Sequence, residues 1–411
     1  MKIVGVITEY NPFHKGHLYH IEQAKRITGS DYCVAVMSGS FVQRGDPSVI
    51  SKWARTKSAL ENGVDIVIEL PVHYSTASAE FFSTAAVALL NNTGIIDSIC
   101  FGSEEGNIES LDLIASVLAN EPASYKKWLA HYLDEGLNYP TARSRALKKY
   151  FPHELESVIN SPNNILGIEY LKALKRLNSS MKPYTIKRIG AGYHDETSSS
   201  PVVSATAIRK HLKHISAGSS VLEDMLPASS LLNLRQAIEE KTGPIFPNDF
   251  FPLLKYKLLT THATALRKVL DVTEGLENRI LSSIGQATSI DMLLDMVTTK
   301  RYTRTKINRA LLHILLDIDK KSFETFNLNG FSQYIKVLGF KRDAQHLMKQ
   351  MKDLATLPII TNVKASSMNL TSLQKKMLET EIRTTNIYNI VVLSKFNQIV
   401  RNDYTQSVIL I

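Results

Sequence analysis

Short apolar runs alternate with amphipathic stretches through the first hundred residues. Ile3 to Ile7 is a β-branched run, Tyr32 to Met37 a second, Val64 to Leu70 a third that Pro71 stops, and Ser98 to Phe101 a fourth before Gly102. Between them the apolar positions take helical spacing, from about Gly16 to Ile27, from Lys52 to Asn62 and from Ala77 to Leu90. Short, nearly continuous apolar strands separated by helices predict a parallel sheet covered on both faces. In such a sheet the ligand crevice lies outside the carboxyl ends of the strands. The polar segments Thr8–His17, Ser38–Asp46 and Gly102–Gly106 all follow strand ends, so they are expected to converge on one site.

Beyond residue 106 the pattern is mainly helical to about residue 180, broken at Asn138-Tyr139-Pro140. Lys182 to Ile189 predicts another strand, Gly190 to Pro201 a Gly- and Ser-rich loop, and a short helix starts near Thr206. From about residue 216 the strand–helix alternation stops and amphipathic helices dominate, as in Asp291–Thr298 and Lys306–Leu316. This predicts two regions, 1–215 and 216–411.

Charge sharpens that division. The 411-residue chain carries a formal net charge of +9, and residues 216–411 hold 25 Lys/Arg against 18 Asp/Glu. The first 215 residues hold 23 against 21, so the basicity belongs to the second half. A basic balance favours a polyanionic partner such as nucleic acid, and a mildly basic enzyme without one fits it equally. The two cysteines, Cys33 and Cys100, lie in strand-like runs and cannot make a disulfide framework, which suits a reducing cytoplasm. The first apolar run is too short for a signal sequence, and no apolar stretch approaches the ~20 residues that span a bilayer.

The chemistry concentrates in Asn11-Pro12-Phe13-His14-Lys15-Gly16-His17, which joins the first strand to the first helix. Gly16 lets backbone approach a phosphate, and the helix start adds free N–H donors. Two imidazoles three residues apart share one side of the first turn and can donate to phosphate oxygens. Charge grows there as pyrophosphate leaves, so preplaced donors stabilise the transition state without either His acting as a base. The spacing of His14, His17 and His20 also leaves a zinc site open, although no Cys pair or HExxH pattern accompanies it. A second segment, Val203-Ser204-Ala205-Thr206-Ala207-Ile208-Arg209, opens a helix. Ser204 or Thr206 can cap it and donate to phosphate, and Arg209 can clamp phosphate oxygens; a capped surface helix reads the same way.

The two motifs, in this order, resemble the HIGH-signature nucleotidyltransferase superfamily. Glu9–His14, Met37–Gly45, Ser51–Arg55, Ser161–Gly167 and Lys300–Lys306 further resemble the bacterial tRNA(Met) cytidine acetate ligase family, over nearly the whole chain. The resemblance implies a Rossmann-like, parallel-sheet α/β nucleotidyltransferase domain followed by a mainly α-helical C-terminal region. It implies an enzyme that activates acetate with ATP to acetyl-adenylate, then acetylates N4 of the wobble cytidine of elongator tRNA(Met), with Mg²⁺ accompanying ATP. Carried over, the nucleotide lies along Ile7, Thr8, Glu9, Tyr10, Asn11, Pro12, Phe13, His14, Lys15, Gly16, His17, Leu18, Tyr19 and His20. Gly102, Asn163 or Asn164, Arg188, Ser204 and Thr206 complete its site, and His14, His17 and Arg209 act on the phosphates. Position 205 is Ala where superfamily relatives often have Ser, which leaves the second phosphate contact to Ser204 and Thr206. Arg301, Arg304, Lys306 and Arg309 form a dense basic stretch, read as tRNA phosphate contacts or a solvated face. Gln43 and Arg44 line a pocket or a solvated loop, Trp53 reads as core, and Ser103-Glu104-Glu105 as an acidic turn or a ribose or Mg²⁺ contact. The alternatives are a small-molecule nucleotidyltransferase that makes a dinucleotide-type cofactor, and an RNA-binding protein with a relict nucleotide site.

Overall fold

The computed structural model describes residues 1–151, 156–188, 204–214, 221–273, 275–299 and 302–411. The expected Gly190–Pro201 loop, Ile189, Val203 and Arg301 lie outside the described residues. Strands β1 (Ile3–Thr8), β2 (Tyr32–Ser38), β3 (Ile66–Leu70), β4 (Ser98–Ser103) and β5 (Lys182–Lys187) form the parallel part of one sheet, in the order β5-β4-β1-β2-β3. The chain runs outward from β1 through β2 to β3, then returns to the other side of β1 for β4 and β5. That reversal opens a crevice between the ends of β1 and β4, where a doubly wound sheet takes its ligand.

Alternate strand residues enter opposite cores. Ile3, Val34, Val36, Ile66 and Ile68 pack with Ala85, Leu89, Ile114 and Leu171 of three helices on one face. Val4, Val6, Cys33, Ala35 and Met37 pack with Ile21, Ala24, Ala59 and Leu60 on the other. Both thiols are buried, and burial pushes the Cys33 thiol up to about 12.

The second half is mainly helical, as its pattern predicts, with helices Ile290–Val297 and Arg304–Leu316 in a core of their own. It also returns to the sheet, which the pattern does not show. β6 (Ile335–Phe340) pairs antiparallel with β3, and β7 (Ile359–Ile360) and β8 (Ile409–Leu410) pair with β6. Lys336 interrupts the apolar run of β6 and disguises it. The residue is nonetheless buried, because its ammonium meets Glu69 Oε2 at 2.7 Å and pairs with Asp403. The Lys52 ammonium joins the same cluster, 2.8 Å from Glu69 Oε1, 2.7 Å from Asp403 Oδ1 and 2.9 Å from Thr385 Oγ1. A charge this deep persists only when paired. Through it the final segment and the long helix Ser372–Phe396 are tied to the sheet.

Candidate active site at the carboxyl ends of the strands

The turn after β1 is built around two histidines that hold each other. His14 is the N-cap of the helix Lys15–Thr28, and its Nδ1 accepts the Gly16 amide at 3.1 Å. The Nδ1 of His17 reaches back and accepts the His14 amide at 3.2 Å. This is a capping box with imidazoles in place of the usual Ser and Glu. The rings stack with centroids 3.7 Å apart. Tyr10 and Phe13, both buried, press on the His17 ring at 4.9 and 5.6 Å.

These bonds decide the tautomer. A nitrogen that accepts an amide hydrogen carries no proton, so each neutral ring bears its hydrogen on Nε2 and offers that N–H outward. Burial, with Arg188 and Arg209 nearby, lowers the His14 pKa to about 4. Burial, then the His14 and Arg188 charges, hold His17 well below its ordinary value. Both rings are therefore neutral donors at neutral pH. His20 is lowered to about 4 by burial and then Arg188, and its Nε2 has no hydrogen-bond partner among the described residues.

Further elements converge on this turn. Arg188 follows β5; its amide donates to the Ser103 carbonyl at 2.8 Å, and a Cβ on Gly102 would sit 3.1 Å from its side chain. Gly102, Arg188 and the histidines thus share the mouth of the β1–β4 crevice. Asn164 is buried, and its Oδ1 accepts the Glu104 and Glu105 amides at 2.9 and 3.1 Å. Glu104 in turn accepts the amides of Asn163 and Asn164 and the Asn163 Nδ2, the last at 2.6 Å. Glu104 therefore caps the helix Pro162–Arg176, and the half-buried Asn163 is the asparagine at the rim.

The helix Ala205–His214 docks on the same turn. Arg209 donates to the Asn11 carbonyl at 2.9 Å and to Thr206 Oγ1 at 3.1 Å, while Ser204 Oγ accepts the Ala207 amide at 3.3 Å. Ser204 and Thr206 are exposed beside it. Within the Ile7–His20 segment the roles divide. Tyr10, Asn11, Pro12 and Phe13 are buried supports, and Asn11 Oδ1 accepts the Val49 amide at 2.8 Å. Ile7, Thr8, Glu9, Lys15, Gly16 and Leu18 are half-buried, and Tyr19 is exposed.

Several residues hold the site through contacts that their motifs do not show. The fully buried Arg55 guanidinium donates to the carbonyls of Glu9 at 2.6 Å, Ser38 at 3.0 Å and Gly39, fastening the ends of β1 and β2 together. Glu9 Oε1 accepts the Gln43 amide at 3.0 Å, and burial raises the Glu9 pKa. Asn308 Nδ2 donates to the Arg44 carbonyl and to Asp46 Oδ1, both at 2.9 Å. Gly45, at φ +83°, has its Cβ position 2.9 Å from the Arg309 amide, so only glycine lets the helical region close over this loop. Trp53 is half-buried beside the Lys52 ammonium, which lies 5.0 Å from its ring centre.

The basic stretch is largely matched from within. Arg304 donates to Asp291 Oδ1 at 2.7 Å and pairs with Asp295. Arg309 donates to Asp271 at 3.0 Å, and Lys306 to Thr273 Oγ1 at 3.3 Å.

The chain as a whole is similar to known proteins. The family model described as HIGH Nucleotidyl Transferase matches residues 1–403. The chain is 42% identical to the tRNA(Met) cytidine acetate ligase of Acetivibrio thermocellus over 414 residues, covering 100% of both chains. It is 42% identical to the enzyme of the same name from Clostridium novyi, over 95% of this chain and 96% of that one. A crystal structure of Thermotoga maritima TmcAL bound with alpha-thio ATP superposes with a TM-score of 0.93 at 34% identity, covering 100% of each chain. The chain belongs to the tRNA(Met) cytidine acetate ligase family of HIGH nucleotidyltransferases.

Proposed function

We propose that this chain is a cytoplasmic ATP-dependent ligase that converts acetate to acetyl-adenylate and transfers the acetyl group to N4 of the wobble cytidine of elongator tRNA(Met). The observation that carries the first step is the His14–His17 pair, two neutral rings whose Nδ1 atoms are occupied by backbone amides. Their Nε2–H groups are the donors left for a triphosphate. An acetate oxygen attacks the α-phosphorus and pyrophosphate departs in line. Donors fixed beforehand need no reorganisation as charge builds on the leaving oxygens. Arg188 and Arg209 add positive charge, with Ser204 and Thr206 beside Arg209. Tyr10 and Phe13 keep the His17 ring in register, and Arg55 keeps the two strand ends at a fixed separation.

Mg²⁺ belongs with ATP as its chelate. Glu104 is engaged by three N–H groups of the Asn163–Asn164 turn and does not suit an ion, so no step is assigned to protein-bound metal. In the second step the cytidine amine attacks the acetyl carbonyl, AMP leaves and N4 loses a proton. An exocyclic cytosine amine is a weak nucleophile, and an acyl phosphate anhydride supplies the missing reactivity. The base has to leave its stack to reach it. In support, the helical region seats Asn308 and Arg309 against the Gln43–Asp46 loop, which borders Glu9 at the end of β1. Among the described residues no helix is long and apolar enough to cross a membrane.

The test is transfer of labelled acetate to bulk tRNA by the native protein and by His14→Ala/His17→Ala. Label that appears on tRNA with ATP and is lost in the variant is the expected result. ATP turnover that leaves tRNA unlabelled would refute it and point to a small-molecule nucleotidyltransferase.

A further inference from the structure

A second cationic surface lies far along the chain from the expected one. The helices Ala123–Asp134 and Tyr139–Tyr150 form an antiparallel hairpin inserted between β4 and β5. Its inner face is apolar, with Tyr125, Ala142, Ala146 and Leu147 buried. Its outer face is aromatic and basic. Trp128, Tyr139 and Tyr150 are 36%, 47% and 38% exposed. The rings of Trp128 and Tyr132 lie nearly parallel, 25° apart with centroids 6.3 Å from each other. Lys149 Nζ sits 5.8 Å from the Trp128 ring centre, and the Arg145 guanidinium 5.8 Å from that of Tyr132. Lys127 is exposed beside Trp128 on the same helix. Residues 122–150 hold six Lys/Arg against two Asp/Glu.

Not all six cations face outward. Arg143 turns in and meets Glu169 Oε1 at 2.8 Å. With Ser144, whose hydroxyl donates to Asn160 Oδ1 at 2.7 Å, it fixes the hairpin to the helix Pro162–Arg176 and the segment before it. That helix begins at the Asn163–Glu104 rim of the nucleotide crevice, so the hairpin flanks the candidate site. The contrast with the 304–309 stretch is one of pairing. There the arginines are held by Asp271, Asp291 and Asp295, whereas on the hairpin Arg145 has a looser contact of 3.8 Å with Glu135, and among the described residues Lys127 and Lys149 make no ion pair.

Flat aromatic rings interleaved with free ammonium groups match one chemistry well. Unpaired bases stack on π faces, and phosphates between them take the cations. A helix pair that met only solvent would gain nothing by presenting three large aromatic side chains beside its cations. We infer that the outer face of this hairpin is the docking surface for the single-stranded loop of the RNA substrate, with Trp128 as the stacking platform and Lys127, Arg145 and Lys149 on its phosphates. This inference rests on the tRNA reading above.

The test uses the full chain. Trp128→Ala and Lys127→Ala/Lys149→Ala are compared with the native protein in three measurements. These are acetate-dependent ATP–pyrophosphate exchange without tRNA, the KM for elongator tRNA(Met) in acetylation, and the salt dependence of tRNA binding. Exchange is expected to stay within twofold, because the hairpin does not enter the nucleotide crevice. The KM is expected to rise at least fivefold for Trp128→Ala, the lower end of what one lost stacking contact gives, and to be largely restored in Trp128→Phe. For the double lysine variant the log–log salt slope is expected to become shallower by about one to two. Normal exchange with unchanged KM and salt slope would overturn the inference and leave the tRNA reading intact. Native protein that exchanges pyrophosphate but labels no tRNA would overturn both.

Discussion

Glu381 offers a stability test whose sign follows from the buried cluster. Its Oε2 accepts the Val72 amide at 2.7 Å, and its Oε1 is buried without a hydrogen-bond partner among the described residues. Burial, then the Glu69 charge, raise its pKa to about 8, against the pull of Lys52 and Lys336. The two ammoniums are matched by Glu69 and Asp403, so a third carboxylate charge has no counterpart and Glu381 keeps its proton. In the unfolded chain a glutamate titrates near 4.3. Between that value and about 8 the folded state holds one proton more than the unfolded state. Stability from this group is therefore full below about pH 4 and falls as pH rises, by about 1.4 kcal/mol per unit, until the folded group ionises. The loss by pH 9 is on the order of 3–5 kcal/mol, a large part of a typical folding free energy. Glu381→Gln keeps the shape and the acceptor for Val72 but cannot ionise. Urea unfolding at pH 5, 7 and 9 is expected to show the variant close to the native protein at pH 5 and more stable by several kcal/mol at pH 9. Unfolding curves that differ by the same amount at all three pH values would refute the argument.

His14→Ala and His17→Ala each remove one preplaced donor and should lower kcat for acetate-dependent pyrophosphate exchange by about 10²–10³-fold. With His14 lowered to about 4 and His17 lower than its ordinary value, the exchange rate is expected to lack a histidine limb near pH 6.5, and to fall only as pH approaches that of His14 protonation. Arg209→Lys loses the fork that reaches both Asn11 and Thr206; kcat/KM for ATP should drop about ten- to hundredfold, the cost of one or two charge-assisted hydrogen bonds. Gly45→Ala forces a side chain into φ +83° against the Arg309 amide and should destabilise the fold by about 1–3 kcal/mol, read by thermal or urea unfolding. Arg304→Ala is expected to change the salt slope of tRNA binding less than Lys127→Ala/Lys149→Ala does, because Asp291 and Asp295 already neutralise Arg304.

Much of this protein is written locally. The apolar runs around Ile3–Ile7, Tyr32–Met37 and Val64–Leu70 had strand length, the third despite Asp65 and Glu69, so the parallel sheet and the place of its crevice could be read directly. The same holds for His14-Lys15-Gly16-His17, whose neighbours in sequence are also its partners in space: the capping box spans only His14 to His17. Long-range pairing could not be read. Lys336 made β6 look polar, and only the arrival of Glu69 and Asp403 from distant segments allows a buried ammonium there. Arg55, Asn308 and Gly45 act through partners up to 264 residues away, which no local pattern shows. Arg304 and Arg309 read as phosphate contacts or a solvated face because charge alone was visible; folding brings Asp291 and Asp295 onto the first and Asp271 onto the second. By itself the sequence determined the five strands of the parallel sheet and singled out the turn after the first of them, since both depend on neighbours within a few residues. The tertiary structure decided which charges are neutralised and which remain for a partner, because a Coulomb interaction depends on distance in space and on burial, not on distance along the chain.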